Sequence, residues 1–330
     1  MKVVSFGFGP IGQAIARAAL ARREQMEIIG AVDLDPSLVG KDVGEVLNGE
    51  KTGALITDTP NELFSKADLV LHATSSFLDV AKSQLLDICN HSLDIISTCE
   101  ELSFPWYNHA TVASEIDSAA KKNGTTVLAT GVNPGFVLDA LVISATGACL
   151  SVREIRGERI LDALKRRLPF QKKVGIGLSV EQFEENVKSG KFGHIGLPES
   201  MAMVCSALGQ DMERIEQKVT PKIAEKDTPT ANQGVVKMGK VLGLVQDASA
   251  FVSGRKAVTY HLEMYAGAED PHDEIEVLGE PNLKLRIPGG TPGDSATAAV
   301  VVNSVQRVVD SKPGLMTVKD LKPASSVFSF

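Results

Sequence analysis

Two adjacent carboxylates, Glu100 and Glu101, follow the apolar run Leu93 to Ile96 within LDIISTCEELSFPW. The run reads as a buried strand. A carboxylate pair at its carboxyl end is either solvated surface, favoured at the start of a helix by the dipole, or a group that takes a proton and stabilises a developing cation. Near the amino terminus, Gly7, Gly9 and Gly12 stand in GxGxxG spacing in VVSFGFGPIGQAIARAAL, between an apolar run and a helical pattern. Gly7 permits a tight turn, Gly9 lets the backbone approach a pyrophosphate, and Gly12 lets helix and strand pack closely; Pro10 and Ile11 then open the helix whose amino end faces the anion.

Twenty-one residues beyond Gly12, the segment EIIGAVD ends in Asp33, placed to accept hydrogen bonds from a ribose. Strand, glycine turn, helix and acidic residue together specify a nicotinamide dinucleotide. Asp33 repels a 2′-phosphate and Leu34-Asp35-Pro36 offers no arginine, so NAD is preferred, while Lys41 leaves NADP possible. Thr74, Ser75 and Ser76 end ADLVLHATSS, where they can line the nicotinamide ribose, cap a helix starting near Phe77, or both. In TGVNPGF, Asn133 and Pro134 can face cofactor or substrate; alternatively Pro134 opens a helix at its first position.

The elements that position these groups alternate regularly. Strands are predicted at 3–6, 27–33, 68–73, 93–98 and 125–130, with helical spacing between them. One helix near 77–90 would bury Phe77, Val80, Ala81, Leu85 and Ile88; the next, near 107–122, would bury Val112, Ile116 and Ala119 before Asn123-Gly124 ends it. Beyond about 131 the pattern becomes long alternating strands, at 152–160 and 256–267, mixed with helices. The segment 294–311 reads as a helix capped by Asp294 or Ser295, with Ala298, Val301, Val305, Val308 and Val309 in one stripe. Loops are expected at 225–234 and 286–294. The fold class is therefore α/β, a Rossmann-type doubly wound parallel sheet with a second α+β domain. Its expected divisions are 1–131 for the dinucleotide, 132–293 for substrate and dimerisation, and 294–330 returning toward the first domain.

At 330 residues the chain exceeds the roughly 250–300 residues that one core usually serves. A net charge of −7 disfavours nucleic acid, whose phosphates require a basic surface. No apolar run approaches the ~20 residues of a membrane span, and the amino terminus lacks the apolar core of a signal peptide, so a cytoplasmic enzyme of small molecules is expected. The four cysteines form no CxxC pair, and no metal site is expected.

With STCEELSFPW, TGVNPGFVLDAL, RRLPFQKKVGIGLS and GHIGLPESMAM beside the fingerprint, nearly the whole chain resembles the 2,4-diaminopentanoate dehydrogenases and related NAD(P)-dependent amine dehydrogenases, whose cofactor domain is similar to that of dihydrodipicolinate reductase. The histidine pair and neighbouring lysine of the reductase's catalytic segment have no counterpart. The resemblance implies reversible oxidative deamination of 2,4-diaminopentanoate at C4, giving 2-amino-4-oxopentanoate, ammonia and reduced cofactor. It places the catalytic glutamate in STCEELSFPW, at Glu101 in preference to Glu100. A diamino acid substrate would set Arg159 against its carboxylate and Asp162 against its 2-ammonium, although strand alternation puts these two on opposite faces unless a bulge or strand end intervenes; surface ion pairs are the alternative. The basic run KRRLPFQKK reads mainly as solvated surface, while His194 and His261 lie in family-like segments as candidate pocket residues. A homodimer is implied. A broader amine dehydrogenase, an imine reductase and a non-catalytic dinucleotide sensor are the competing readings, and a sensor has no need of Glu100 or Glu101.

Overall fold

The computed structural model describes residues 1–166, 168–190, 192–230 and 234–327. The chain divides into two compact units. The first comprises Met1–Ala140, the short segment Pro198–Met203, and the chain from Pro292 onward; the second comprises Leu141–Leu197 and Val204–Thr291.

The first unit holds a parallel sheet. Its strands are β1 (Lys2–Phe6), β2 (Glu27–Val32), β3 (Leu55–Thr57), β4 (Leu69–His72), β5 (Asp94–Ser97) and β6 (Thr126–Ala129), with Gly314–Met316 added beside β6. The spatial order is Gly314–Met316, β6, β5, β4, β1, β2, β3. All neighbours pair in parallel. The chain winds outward from β1 through β2 to β3 and then returns to β1's other side as β4, so the winding reverses between β1 and β4. A crevice for a ligand opens at such a point, beyond the carboxyl ends of the strands.

Alternation within the strands builds a core on each face of the sheet. Val3, Leu69, Leu71, Ile96 and Leu128 pack with Ile15 and Ala19 of helix Pro10–Leu20 and with Val301 and Val305 of helix Gly293–Val309. Val4, Val70, Ile95 and Val127 pack with Leu85 and Ile88 of helix Leu78–Asn90 and with Ile116 and Ala120 of helix Ala110–Asn123. Gly124 ends the last of these helices in the left-handed region.

Several local expectations are corrected. In helix Leu78–Asn90 the buried stripe is Leu78, Ala81, Leu85, Ile88 and Cys89, while Phe77 and Val80 are 48% and 57% exposed. Helix Gly293–Val309 has Pro292 at its cap position, so Asp294 lies in the first turn, where a carboxylate meets the positive helix end, and Val309 points outward. Pro134 does not open a helix: it lies in a turn, with a cis peptide bond to Asn133, and the helix starts at Ala140. Strands Leu55–Thr57 and Gly314–Met316 are each only three residues long and escaped the periodicity.

The second unit is a six-stranded mixed sheet in the order Leu283–Pro288, His272–Glu280, Ser151–Asp162, Arg255–Tyr265, Val241–Val252, Arg214–Ile223. Its central pair, Ser151–Asp162 with Arg255–Tyr265, is parallel, and the remaining pairs are antiparallel. The expected loop at 225–234 instead carries strand Thr228–Thr230, paired with Gly234–Val236; residues 231–233 lie outside the described part. Among the described residues no helix is long and apolar enough to cross a membrane.

Candidate functional site

The ends of four strands line up along one edge of the first unit. Phe6 pairs with His72, His72 with Ser97, and Ser97 with Ala129, so the segments that follow them emerge side by side. They carry the glycine turn, Thr74 to Ser76, Glu100 and Glu101, and Asn133 and Pro134. Every candidate of this unit except Asp33 therefore lies just beyond this shared edge, and Asp33 follows β2 next to it.

The glycine turn has the shape its spacing demands. Gly7 has φ +89°, and a Cβ there would sit 2.6 Å from the carbonyl oxygen of Ala73; a Cβ on Gly12 would sit 1.9 Å from that of Gly7. Both approaches are backbone against backbone, which no side-chain adjustment relieves. Gly9 differs, because a Cβ there would meet nothing within 4 Å. Gly9 fronts open space at the start of helix Pro10–Leu20, where Pro10 has no N–H and the amides of Ile11 and Gly12 precede the first intrahelical donor, Gln13, whose N–H donates to Gly9 O. An anion such as a pyrophosphate fits this place on shape and on charge. Asp33 fastens the turn: its Oδ2 accepts from Phe8 N at 2.6 Å and its Oδ1 from Asp35 N at 2.9 Å. Ribose hydroxyls approaching Asp33 would thus meet a carboxylate already fixed in place.

Beneath the β4 and β5 ends lies a buried polar knot. The His72 ring contacts Ser97 Oγ through Nδ1 at 2.9 Å and Gln84 Oε1 through Nε2 at 2.9 Å; Thr74 Oγ1 donates to Gln84 Oε1, and Ser97 Oγ accepts from Cys99 N. Burial pulls the imidazole down to about 4, so the ring is neutral near pH 7 and its hydrogen bonds are those of a fixed tautomer. Nothing in the run LVLHATSS marks this histidine out. It anchors Thr74 and the start of the Cys99–Ser103 segment to the same strand ends.

Glu100 and Glu101 occupy a short 3-10 turn, Glu100–Ser103. Glu100 Oε1 accepts from Ser76 Oγ at 2.8 Å. Glu101 Oε2 accepts from the Leu78 N–H at 2.6 Å and lies 3.5 Å from His109 Nε2. The carboxylate thus closes the amino end of helix Leu78–Asn90, where no side chain of the cap residue, Phe77, can do so. Ser75 Oγ accepts from Phe77 N at 3.0 Å in the turn ahead of that helix. Of the two glutamates, Glu101 is the one that meets the helix-end reading of the pair, through the Leu78 N–H.

A third carboxyl joins the group, one that sequence reasoning missed. Glu199 is 1% exposed. Its Oε1 accepts from Asn108 Nδ2 at 2.9 Å, its Oε2 is buried without a hydrogen-bond partner among the described residues, and the neighbouring Ser200 Oγ donates to Asp139 Oδ2 at 2.8 Å. Asp139 in turn accepts from Gly135 N and Ala140 N, tying Glu199's helix to the turn that carries Asn133 and Pro134. Burial raises the Glu199 carboxyl to about 7; the Asn108 hydrogen bond works against this rise, and the charges of Glu101 and Glu100 add to it. The available signal was a single charged residue inside the apolar helix LPESMAMVCSA.

The candidates of the second unit are not brought together. Arg159 is 3% exposed; it faces Asp273 Oδ1 at 3.4 Å and donates through Nη2 to Thr291 O at 2.8 Å. The guanidinium is thus held by groups of its own unit and not in a surface ion pair. Asp162 ends its strand, and its Oδ1 accepts from Leu164 N and Gly267 N. His261 lies beside Asp247 and Glu263. Although burial alone lowers its pKa, these two carboxylates outweigh burial and raise it. Arg159 pairs with Leu262, the residue after His261, so the two side chains leave opposite faces of the sheet. The His194 backbone N–H donates to Gln246 Oε1 at 2.7 Å.

Known proteins place this arrangement in a family. Residues 136–329 match the model of the 2,4-diaminopentanoate dehydrogenase C-terminal domain, and residues 1–93 match that of the dihydrodipicolinate reductase N-terminus. The chain is 29% identical to the 2,4-diaminopentanoate dehydrogenase of Acetoanaerobium sticklandii, over 97% of this chain and 93% of that one. It is 22% identical to an amine dehydrogenase of Streptomyces virginiae, over 98% and 97% of the two chains. The solved amine dehydrogenase of Mycobacterium smegmatis superposes with a TM-score of 0.86 at 22% identity, covering 99% of this chain and 97% of that one, and so shares the fold. The chain is an oxidoreductase belonging to the family of the 2,4-diaminopentanoate dehydrogenase C-terminal domain.

Proposed function

We propose that this enzyme catalyses the reversible NAD(P)-dependent oxidative deamination of 2,4-diaminopentanoate at C4 to 2-amino-4-oxopentanoate and ammonia, with NAD the preferred cofactor. The observation that carries the chemistry is the placement of the Glu100–Glu101 pair at the strand edge shared with the glycine turn. The substrate assignment rests on the relative from Acetoanaerobium sticklandii. Gly7, Gly9, Pro10, Ile11 and Gly12 would hold the pyrophosphate, Asp33 the adenosine ribose, and Thr74, Ser75, Ser76 and Asn133 the nicotinamide end. Bound NAD supplies the hydride acceptor.

The chain's own residues handle protons and charge. An ammonium is no hydride donor until it loses a proton, and the carbon that gives up hydride becomes an iminium cation. Glu101, with Glu100 beside it, accepts that proton and passes it to solvent; a carboxylate again, it offsets the positive charge and deprotonates the water that attacks the iminium. The Leu78 N–H holds the Glu101 carboxyl group in place. For the cofactor, Asp33 opposes a 2′-phosphate electrostatically.

The test is an oxidation screen with NAD and with NADP across 2,4-diaminopentanoate, simple amines, amino acids and hydroxy acids. Turnover of 2,4-diaminopentanoate above all other amines is expected, and activity on alcohols alone overturns the reading. Stronger turnover of simple amines would move the enzyme to the broader class named by the Streptomyces virginiae relative.

A further inference from the structure

We propose that Glu199 is the general acid of this site, giving a proton to the departing nitrogen, while Glu101 is its base; the proposal rests on the amine reading above. The two carboxyls are built oppositely. Glu101 receives a backbone N–H at 2.6 Å at the start of a helix. Glu199 is 1% exposed, and its Oε1 accepts from Asn108 Nδ2 at 2.9 Å. Its Oε2 is buried without a hydrogen-bond partner among the described residues, a position that suits a neutral carboxylic acid better than a charged one. One carboxyl shut away from water beside another that receives a backbone amide is an arrangement in which acid and base roles divide.

The groups are also held together. Consecutive residues grip them: Asn108 Nδ2 donates to Glu199, and His109 Nε2 stands 3.5 Å from Glu101 Oε2. The charges of Glu101 and Glu100 both act on Glu199, so three carboxyl groups share this corner. A carboxyl that ionises near neutrality is suited to exchange a proton in each turnover.

The step balances as follows. Water adds to the iminium carbon and loses a proton to Glu101, leaving a neutral carbinolamine. The Glu199 carboxylic acid then transfers its proton to that nitrogen. The carbon–nitrogen bond breaks, its electron pair leaves on ammonia, the carbon–oxygen double bond forms, and the hydroxyl proton returns to the Glu199 carboxylate.

The experiment compares wild type with Glu199→Gln, which keeps an acceptor for Asn108 and removes the acid, and with Glu199→Asp, which restores an acid of shorter reach. With 2,4-diaminopentanoate and NAD, the glutamine variant should form about one reduced cofactor per site rapidly. It should then turn over about 100-fold more slowly than wild type, and the fall in wild-type rate as pH rises through about 7 should vanish. The aspartate variant should recover part of the rate. Independently of turnover, the infrared pH-difference spectrum of wild type should show a carboxyl C=O band titrating near pH 7 that Glu199→Gln lacks. An unchanged steady-state rate and pH profile in Glu199→Gln overturns the proposal. So does an active wild type without that band, which leaves the amine reading standing. A wild type that shows the band but oxidises no amine overturns the amine reading and the acid's role with it.

Discussion

Two substitutions separate the helix-end contact of Glu101 from the base role proposed for it. Its Oε2 accepts the Leu78 N–H at 2.6 Å, and a hydrogen bond to a charged group contributes roughly 1.5–3 kcal/mol. Glu101→Ala removes the acceptor and leaves the first amide of helix Leu78–Asn90 unsatisfied, so nearly all of that contribution is lost. Glu101→Gln retains a neutral oxygen at the same reach, and the loss falls to about 1 kcal/mol. At about 2–4 °C per kcal/mol for units of this size, the alanine variant should melt roughly 3–12 °C below wild type and the glutamine variant roughly 2–4 °C below. Catalysis should not follow this ranking. If Glu101 is the base, both variants lose about 100- to 10,000-fold in kcat for amine oxidation, whatever their stability. The assays are thermal unfolding, NADH binding by fluorescence, and steady-state formation of reduced cofactor from 2,4-diaminopentanoate. A Glu101→Gln protein that binds NADH and turns over at the wild-type rate would refute the reasoning and move the role to Glu100. A rate loss that tracks melting temperature across the two variants would reduce Glu101 to a helix cap.

Further outcomes follow from the same geometry. Gly9→Ala should leave the melting temperature nearly unchanged, since its Cβ meets nothing within 4 Å, yet weaken NADH binding at least tenfold; Gly12→Ala, with a Cβ 1.9 Å from Gly7 O, should disturb the fold itself. Equal melting temperatures for these two variants would contradict the close approach. For Glu199, burial raises the folded pKa from 4.5 to about 7, so its contribution to stability is complete below about 4.5 and is lost as pH rises through about 7. Glu199→Gln has no such loss, so its stability relative to wild type, from urea unfolding, should grow by about 3 kcal/mol between pH 4.5 and 8; a difference independent of pH would argue against a buried neutral acid. Arg159→Met leaves Asp273 buried without its cation, at a cost of about 3–5 kcal/mol, and should lower the melting temperature by roughly 6–20 °C. A stable Arg159→Met enzyme with a raised KM alone would instead return Arg159 to the substrate.

The parallel sheet was legible because strands buried on both faces read as continuous apolar runs, as Leu69 to Leu71 and Ile95 to Ile96 do, and because Gly7, Gly9 and Gly12 answer separate steric demands. Leu55–Thr57 and Gly314–Met316 were not, since three residues are too few to display a period. Phe77 and Val80 misled because hydrophobicity alone does not reveal where a helix starts or which stripe a sheet will cover. The glutamate pair could be placed at the edge, but its capping of the Leu78 amide is a tertiary contact between segments 23 residues apart. Glu199 was illegible for a related reason: its meaning depends on Asn108, 91 residues away, and on a burial that turns an ordinary surface residue type into a neutral acid. Arg159 shows the converse, an apparent substrate contact that the fold engages internally.

The hydrogen bond from Leu78 N–H to Glu101 has one more consequence. Whenever that carboxylate is protonated, its grip on the helix start weakens, and it tightens again when the proton leaves. The Leu78 amide is therefore a built-in reporter: its chemical shift and its hydrogen-exchange rate should register the charge state of Glu101 directly, with no label added to the protein.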